Sequence, residues 1–265
     1  MSYRFATLYS GSGGNSTFIS TGKTSILIDA GKSARSLCAA LTAIGSDIKN
    51  INAIFITHEH CDHVSALETV SKKFDIPIHM TEGSAKKFDR HPDSPVHGRL
   101  VRHETVFRET VGEVTVQSFK TPHDSDMSVG YRIEFCDDDG KHVLGVATDI
   151  GYVTQGIAAG LMGCEAVVLE SNHDEQMLED GPYPYYLKLR IRSNKGHLSN
   201  RASADFAAKL AENGTKGFIL AHLSKENNLP ELAYDEIHGV ISDPSVTICV
   251  ADPDEPTEIC LSAEA

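Results

Sequence analysis

The densest run of potential ligands in the 265-residue chain is Thr57-His58-Glu59-His60-Cys61-Asp62-His63. His58, His60 and His63 bring three imidazoles together with the Asp62 carboxylate. Imidazole is the commonest transition-metal ligand, and His combined with Asp suits zinc, manganese or iron. The preceding residues 51–56 are nearly all apolar, the pattern of a strand buried on both faces. A strand end followed by a short loop can aim His58 and His60 to one side, because alternate residues share a face. Asp62 and His63, beyond the turn, can address a second metal.

A second region stands out by charge. The chain carries 24 Lys and Arg against 37 Asp and Glu, a net charge of −13, which on average opposes a polyanionic partner. Yet residues 182–204 hold Lys188, Arg190, Arg192, Lys195 and Arg201 with no acidic residue. Within this stretch Gly196-His197-Leu198-Ser199-Asn200 opens a helix, whose unpaired N–H groups favour an anion. The Gly-rich loop 10–16 lacks the Gly-Lys-Ser/Thr ending of a phosphate-binding P-loop and reads as a tight turn. Six cysteines, none in a Cys-x-x-Cys pair, read as reduced and largely buried thiols, with Cys61 turned away from the metals. His79, His91, His97, His103, His142 and His238 fit no motif and read as surface or core residues. Lacking a long apolar run or a secretory-type apolar start, the sequence is expected to be cytoplasmic, with no membrane partner.

The elements that must position these groups come in two similar halves. Short strands at 5–9, 17–20 and 25–29 precede a helix at 34–44, a strand at 51–56, a helix at 64–74 and a strand at 76–80. Strands at 101–109, 113–120, 129–136 and 142–148 follow. Helices at 155–162, 203–213 and 232–241 then alternate with strands at 166–170, 217–221 and 246–250, and 252–258 reads as an acidic tail. Two such halves, packed sheet on sheet with helices outside, give a four-layer α/β sandwich. One domain spanning 1–265 is expected.

The motifs together resemble the metallo-β-lactamase superfamily over essentially the whole chain. His58-x-His60-x-Asp62-His63 matches its signature, and Ile26-Leu27-Ile28-Asp29-Ala30-Gly31 its first motif. His123, Asp149 and His222 stand at the ends of companion motifs. The resemblance implies two divalent ions, zinc or manganese. One would be held by His58, His60 and His123, the other by Asp62, His63 and His222, with Asp149 and a water between them. Asp29 would prop the metal loop without binding metal. Glu170-Ser171-Asn172-His173-Asp174 and Gly196–Asn200 resemble the nucleic-acid-processing branch, in which His197 meets the scissile phosphate and Glu170 orients it. Asp62 would also orient or deprotonate the attacking water. Only 20 residues separate Asp149 from Glu170, too few for an inserted cap domain.

The overall match is to small exonucleases of this branch, implying a DNA substrate degraded 5′ to 3′. Ser12, Asn15, Lys188, Arg190, Arg192, Ser199 and Asn200 are the expected substrate contacts. The rival expectation is a small-molecule hydrolase acting on a thioester, lactone or cyclic phosphodiester, with a tight apolar pocket.

Overall fold

The computed structural model describes residues 3–261. The chain begins with an antiparallel meander of β1 (Arg4–Tyr9), β2 (Ser16–Ser20) and β3 (Ser25–Ile28), followed by α1 (Ala34–Ala43) and β4 (Ala53–Phe55). Helices α2 (Cys61–Val64) and α3 (Leu67–Lys73) lead to β5 (Ile78–Thr81), α4 (Glu82–Asp89) and β6 (Leu100–His103). The second sheet opens with β7 (Arg108–Val111), β8 (Val114–Lys120), β9 (Val129–Asp137) and β10 (Gly140–Ala147). Helix α5 (Gln155–Leu161), β11 (Ala166–Glu170), α6 (Glu175–Asp180), α7 (Tyr185–Ile191) and α8 (Asn200–Glu212) follow. The chain closes with β12 (Gly217–Ala221), α9 (Pro230–His238), β13 (Thr247–Val250) and β14 (Thr257–Ile259).

Strand order is β14-β1-β2-β3-β4-β5-β6 in one sheet and β13-β12-β11-β10-β9-β8-β7 in the other. Each sheet is antiparallel where the meander lies and parallel where helices connect its strands. Phe5, Ile26, Phe55, Tyr131, Leu144 and Ile219 fill the space between the sheets. Leu27, Leu37, Leu41, Ile54 and Leu67 form a second core beneath α1 and α3, and Phe119, Leu161, Phe206, Leu210 and Phe218 a third beneath α5 and α8. Burying such a side chain contributes roughly 1.5–3 kcal/mol, so three contiguous cores stabilise the expected four-layer sandwich. Between Asp149 and Glu170 the chain has room for α5 and no added domain.

Several boundaries differ from the sequence reading. Residues 101–109 are not one strand. The chain leaves the first sheet after β6 and enters the second at β7, so this stretch crosses between layers. The helix expected at 64–74 is two pieces, broken at Ser65–Ala66 where Ala66 N–H donates to Ala30. The acidic tail supplies β14, which pairs with β1 through Phe5 opposite Ile259. The short helices α4, α6 and α7 had no clear apolar period. The cysteines are free, but only Cys164 is buried; Cys61, Cys136 and Cys260 are exposed.

Candidate metal centre

Most of the chemically active side chains sit at or just beyond the C-terminal end of a strand, whereas Asp62 and His63 lie on α2 and His197 between α7 and α8. Asp29 follows β3, His58 follows β4, His123 follows β8, Asp149 follows β10, Glu170 ends β11 and His222 follows β12. Asp29, Asp149 and His222 have φ of 65°, 57° and 59°, and no other described non-glycine residue has positive φ. This left-handed region is costly for side chains with a Cβ, and three such residues meeting in one place mark a functional site. Gly31 answers to crowding instead: a Cβ there would stand 1.6 Å from the Asp62 carbonyl oxygen.

Asp29 binds no candidate ligand set; it braces the loop. One of its oxygens accepts from Thr57 N–H at 2.8 Å, and the other from Thr57 Oγ1 and His63 Nδ1, both at 2.8 Å. That bond leaves His63 Nε2 to face the cluster, 3.3 Å from Asp149 Oδ2 and 3.5 Å from Asp62 Oδ2. Likewise His123 Nδ1 faces the Gly196 carbonyl at 3.3 Å, and His222 Nδ1 faces Glu170 Oε1 at 3.1 Å. His222 is further fixed by its N–H, which donates to Ser10 Oγ at 2.7 Å.

Two donor sets result, His58 with His60 and His123, and Asp62 with His63 and His222, each with donor atoms within 4.8 Å of one another. Asp149 reaches both: its Oδ1 lies 3.6 Å from His123 Nε2 and 3.6 Å from His222 Nε2. The fit to cations rests on unused valence. His58 Nε2, Asp149 Oδ2 and His222 Nε2 are buried without a hydrogen-bond partner, which is costly unless something is coordinated. The electrostatics agree. Burial opposes charge on His222, but Asp149, Asp62 and Glu170 push its pKa up to about 10; burial likewise opposes charge on His63, which Asp29 and Asp149 raise well above the usual range. Burial and the neighbouring His63 hold His58 well below it. Carboxylates that hold protons on imidazoles this strongly would hold divalent ions in their place.

Glu170 organises the side of the site away from His58. Its Oε1 accepts from His197 Nδ1 at 2.7 Å, and its Oε2 from the N–H groups of Ile150 and Leu198 at 2.6 and 3.2 Å. Burial would raise its pKa, but His197 and His222 bring it down to about 2. His197 is partly exposed and lines a 180 Å³ cleft with His222, Asn172, Ser12, Arg190 and Lys195. Leu187, Ile191 and Leu223 line the same cleft, so its wall is mixed rather than wholly apolar.

The expected substrate contacts divide. Ser12 is exposed at the cleft. Asn15 is buried and braces the metal loop: its N–H donates to the Asp62 carbonyl at 2.8 Å, and its amide nitrogen lies 3.2 Å from His63 Nε2. Asn200 is buried as well, its amide locked to Asn228 and Ser171. Both amides are thus engaged within the protein. Ser199 caps α8 and donates to Glu175 at 3.0 Å. Arg190 closes on Asp124 and Arg192 on Glu179, each at 2.5 Å, while Lys188 donates to the Glu179 carbonyl at 2.5 Å.

The sequence reading missed Glu59, whose carboxylate accepts from Ser84 Oγ at 3.0 Å and Asp126 N–H at 3.1 Å, tying the metal loop to α4. It also missed the pair His79 Nδ1 and His103 Nε2, 3.0 Å apart across β5 and β6. Glu59 lies within the histidine motif but its partners Ser84 and Asp126 are distant in sequence, and the His79–His103 pair has no local motif. Cys61 is exposed and belongs to neither donor set.

Comparison with known proteins follows this geometry. The family described as "Beta-lactamase superfamily domain" matches residues 24–223. The chain is 35% identical to exodeoxyribonuclease WalJ of Streptococcus pneumoniae serotype 2 over 88% of this chain and 86% of that protein. It is 31% identical to exodeoxyribonuclease YycJ of Bacillus anthracis, over 98% of this chain and 99% of that one. Among solved structures, the metallo-β-lactamase fold protein YhfI of Bacillus subtilis superposes with a TM-score of 0.70 at 16% identity, covering 97% of this chain and 99% of that one. The last likeness bears on the fold alone.

Proposed function

The chain belongs to the β-lactamase superfamily, as a metal-dependent hydrolase of the metallo-β-lactamase fold, and from that footing we propose that it is a two-cation phosphodiesterase that trims DNA from an end, 5′ to 3′. The observation that carries the reading is Glu170, which holds both His222 of one donor set and His197 at the cleft. A hydrolase of neutral small molecules has no need of that second histidine. The exodeoxyribonuclease names of the relatives support DNA and an end-directed mode.

Bound by the two donor sets, zinc or manganese would acidify a water and neutralise a phosphoryl oxygen. The chain's own residues do the rest. Asp62, held by Asn15 from behind, orients the attacking water and accepts its proton. The water oxygen bonds to phosphorus as the opposite P–O bond breaks. His197, fixed through Nδ1 by Glu170, has its other ring nitrogen left to donate a proton to the departing oxygen. Placing the activity in the cytoplasm agrees with six unpaired thiols, and no described helix is long and apolar enough to cross a membrane.

The test is turnover of end-labelled, 5′-phosphorylated single and double strands with Zn²⁺ or Mn²⁺. Release of mononucleotides from the 5′ end is expected. Inert strands beside rapid hydrolysis of a thioester or lactone would replace this reading by its rival.

A further inference from the structure

His197 belongs to two chambers. One is the cleft at the metal centre; the other is a 430 Å³ pocket lined by Tyr152, His173, Glu175, Arg192 and Ser199, among others. Among the described residues His197 is the only one common to both linings, and none of the seven expected metal ligands lines the second chamber. Its volume lies within the range of small-ligand pockets, about 300–1,000 Å³. We propose that this chamber is the subsite for the single terminal nucleotide expelled by the reaction, an inference that rests on the phosphodiesterase reading above.

The position follows from in-line chemistry. Water attacks from the metal side, so the departing group leaves on the far side of phosphorus, where a proton donor must meet it. A group protonated by His197 while the phosphorus lies in the cleft is thereby directed to the chamber that shares His197. The lining suits a nucleotide. Tyr152 is 47% exposed at the rim, a flat apolar face available for stacking on a base. Glu175 can accept from sugar or base donors, and Arg192 can meet a phosphate that displaces its exposed partner Glu179. His173 is 3% exposed, and its Nδ1 has no partner in the structure. The wall is stiff, because His173 pairs as a β-bridge with Ser199 and its carbonyl accepts from Asn200 N–H at 2.8 Å. A chamber of this size beyond the proton donor accounts for release of one nucleotide at a time.

Three measurements test it: calorimetric titration of 2′-deoxyadenosine 5′-monophosphate into the protein as purified, trimming of single-stranded DNA, and hydrolysis of bis(4-nitrophenyl) phosphate. Ala202, partly exposed on α8, faces the chamber. The bulky ring of Ala202→Phe should cut both mononucleotide affinity and trimming at least tenfold, leaving the nitrophenyl ester rate intact. Tyr152→Ala should raise KM for the strand about tenfold with kcat retained, the effect of one lost stacking contact. Wild-type trimming and wild-type mononucleotide binding in both variants would overturn the subsite. If Ala202→Phe also loses the nitrophenyl ester rate, the metal centre has been disturbed, and Tyr152→Ala decides. Failure of the phosphodiesterase reading looks different: the unmodified protein then cleaves neither phosphodiester with either metal, whatever the titration shows.

Discussion

The metal loop and the basic stretch both announce themselves by residue type, and folding treats them in opposite ways. At the metal loop, His58 Nε2, Asp149 Oδ2 and His222 Nε2 are buried and left without hydrogen-bond partners. In the basic stretch, Arg190 is closed on Asp124 and Arg192 on Glu179. The first region withholds partners from its polar atoms; the second has already supplied them. Unspent valence marks a site, whereas a count of charges does not.

The sharpest way to break this comparison is to remove what the buried atoms await. Asp149→Ala deletes the carboxylate that reaches both donor sets, so the purified protein should lose metal by elemental analysis and lose phosphodiester turnover altogether. Retained metal with normal turnover would show that the unpartnered atoms are a packing accident. Stripping the ions from the unaltered protein should lower its melting temperature. Restoring them at 1,000 times their Kd should recover about 4 kcal/mol of stability.

Next in size is His197→Ala. His197 lies outside both donor sets, so metal content should hold while DNA turnover falls about 10²–10⁴-fold, the usual contribution of a general acid. A nitrophenyl phosphodiester, whose leaving group needs little protonation, should suffer less. Loss of metal in this variant would move His197 into the coordination sphere. Cleavage of both substrates at the rate of the unaltered protein would reduce Gly196–Asn200 to a helix start.

Asp29→Asn probes the bracing behind the ligands. The neutral amide cannot accept from His63 Nδ1 and both Thr57 donors with the same strength, and it keeps nearly the same shape. Metal affinity should drop about 10–100-fold, as for other outer partners of ligating histidines. A competition titration with a chromophoric chelator reads this directly, and an unchanged affinity would make Asp29 merely a strand cap.

What could be read from the sequence follows the same division. The candidate ligands were legible because His58, His123, Asp149 and His222 follow strands, whose ends converge in a two-sheet sandwich, while their division into two sets came from the family resemblance. The split of residues 101–109 between layers was not legible, because a strand-forming stretch of mixed polar and β-branched residues looks the same whether it continues one sheet or crosses to another. The internal bonds of Asn15 and Asn200 were legible only in part. The Asn15 amide is held by Gly11, four positions back, as well as by Asp62, whereas the Asn200 amide meets Asn228, a pair that no local spacing records. Arg190 meets Asp124 across 66 positions, so a window with no acidic residue concealed a neutralised surface.

The smallest expected effect falls on that surface. If Arg190 and Arg192 both met phosphates, replacing them with Ala would reduce the slope of log K against log salt by about 1.4 units for a single strand. Their existing partners argue for less. Arg192 and Glu179 have side chains 39% and 57% exposed, and a pair in that setting is worth about 0–1 kcal/mol. A phosphate can displace so weak a partner, but part of its attraction is spent doing so. The double replacement should therefore change the slope by less than one unit and weaken binding only a few-fold. Glu179→Gln is the sharper variant, because it removes the competitor and leaves the guanidinium in place. It should tighten strand binding and steepen the salt dependence, with metal content unchanged. If Glu179→Gln changes nothing while the double replacement costs the full 1.4 units or so, the arginines already face phosphate despite their carboxylates. The basic stretch would then stand beside the metal loop as part of the site, and the contrast between them would fail.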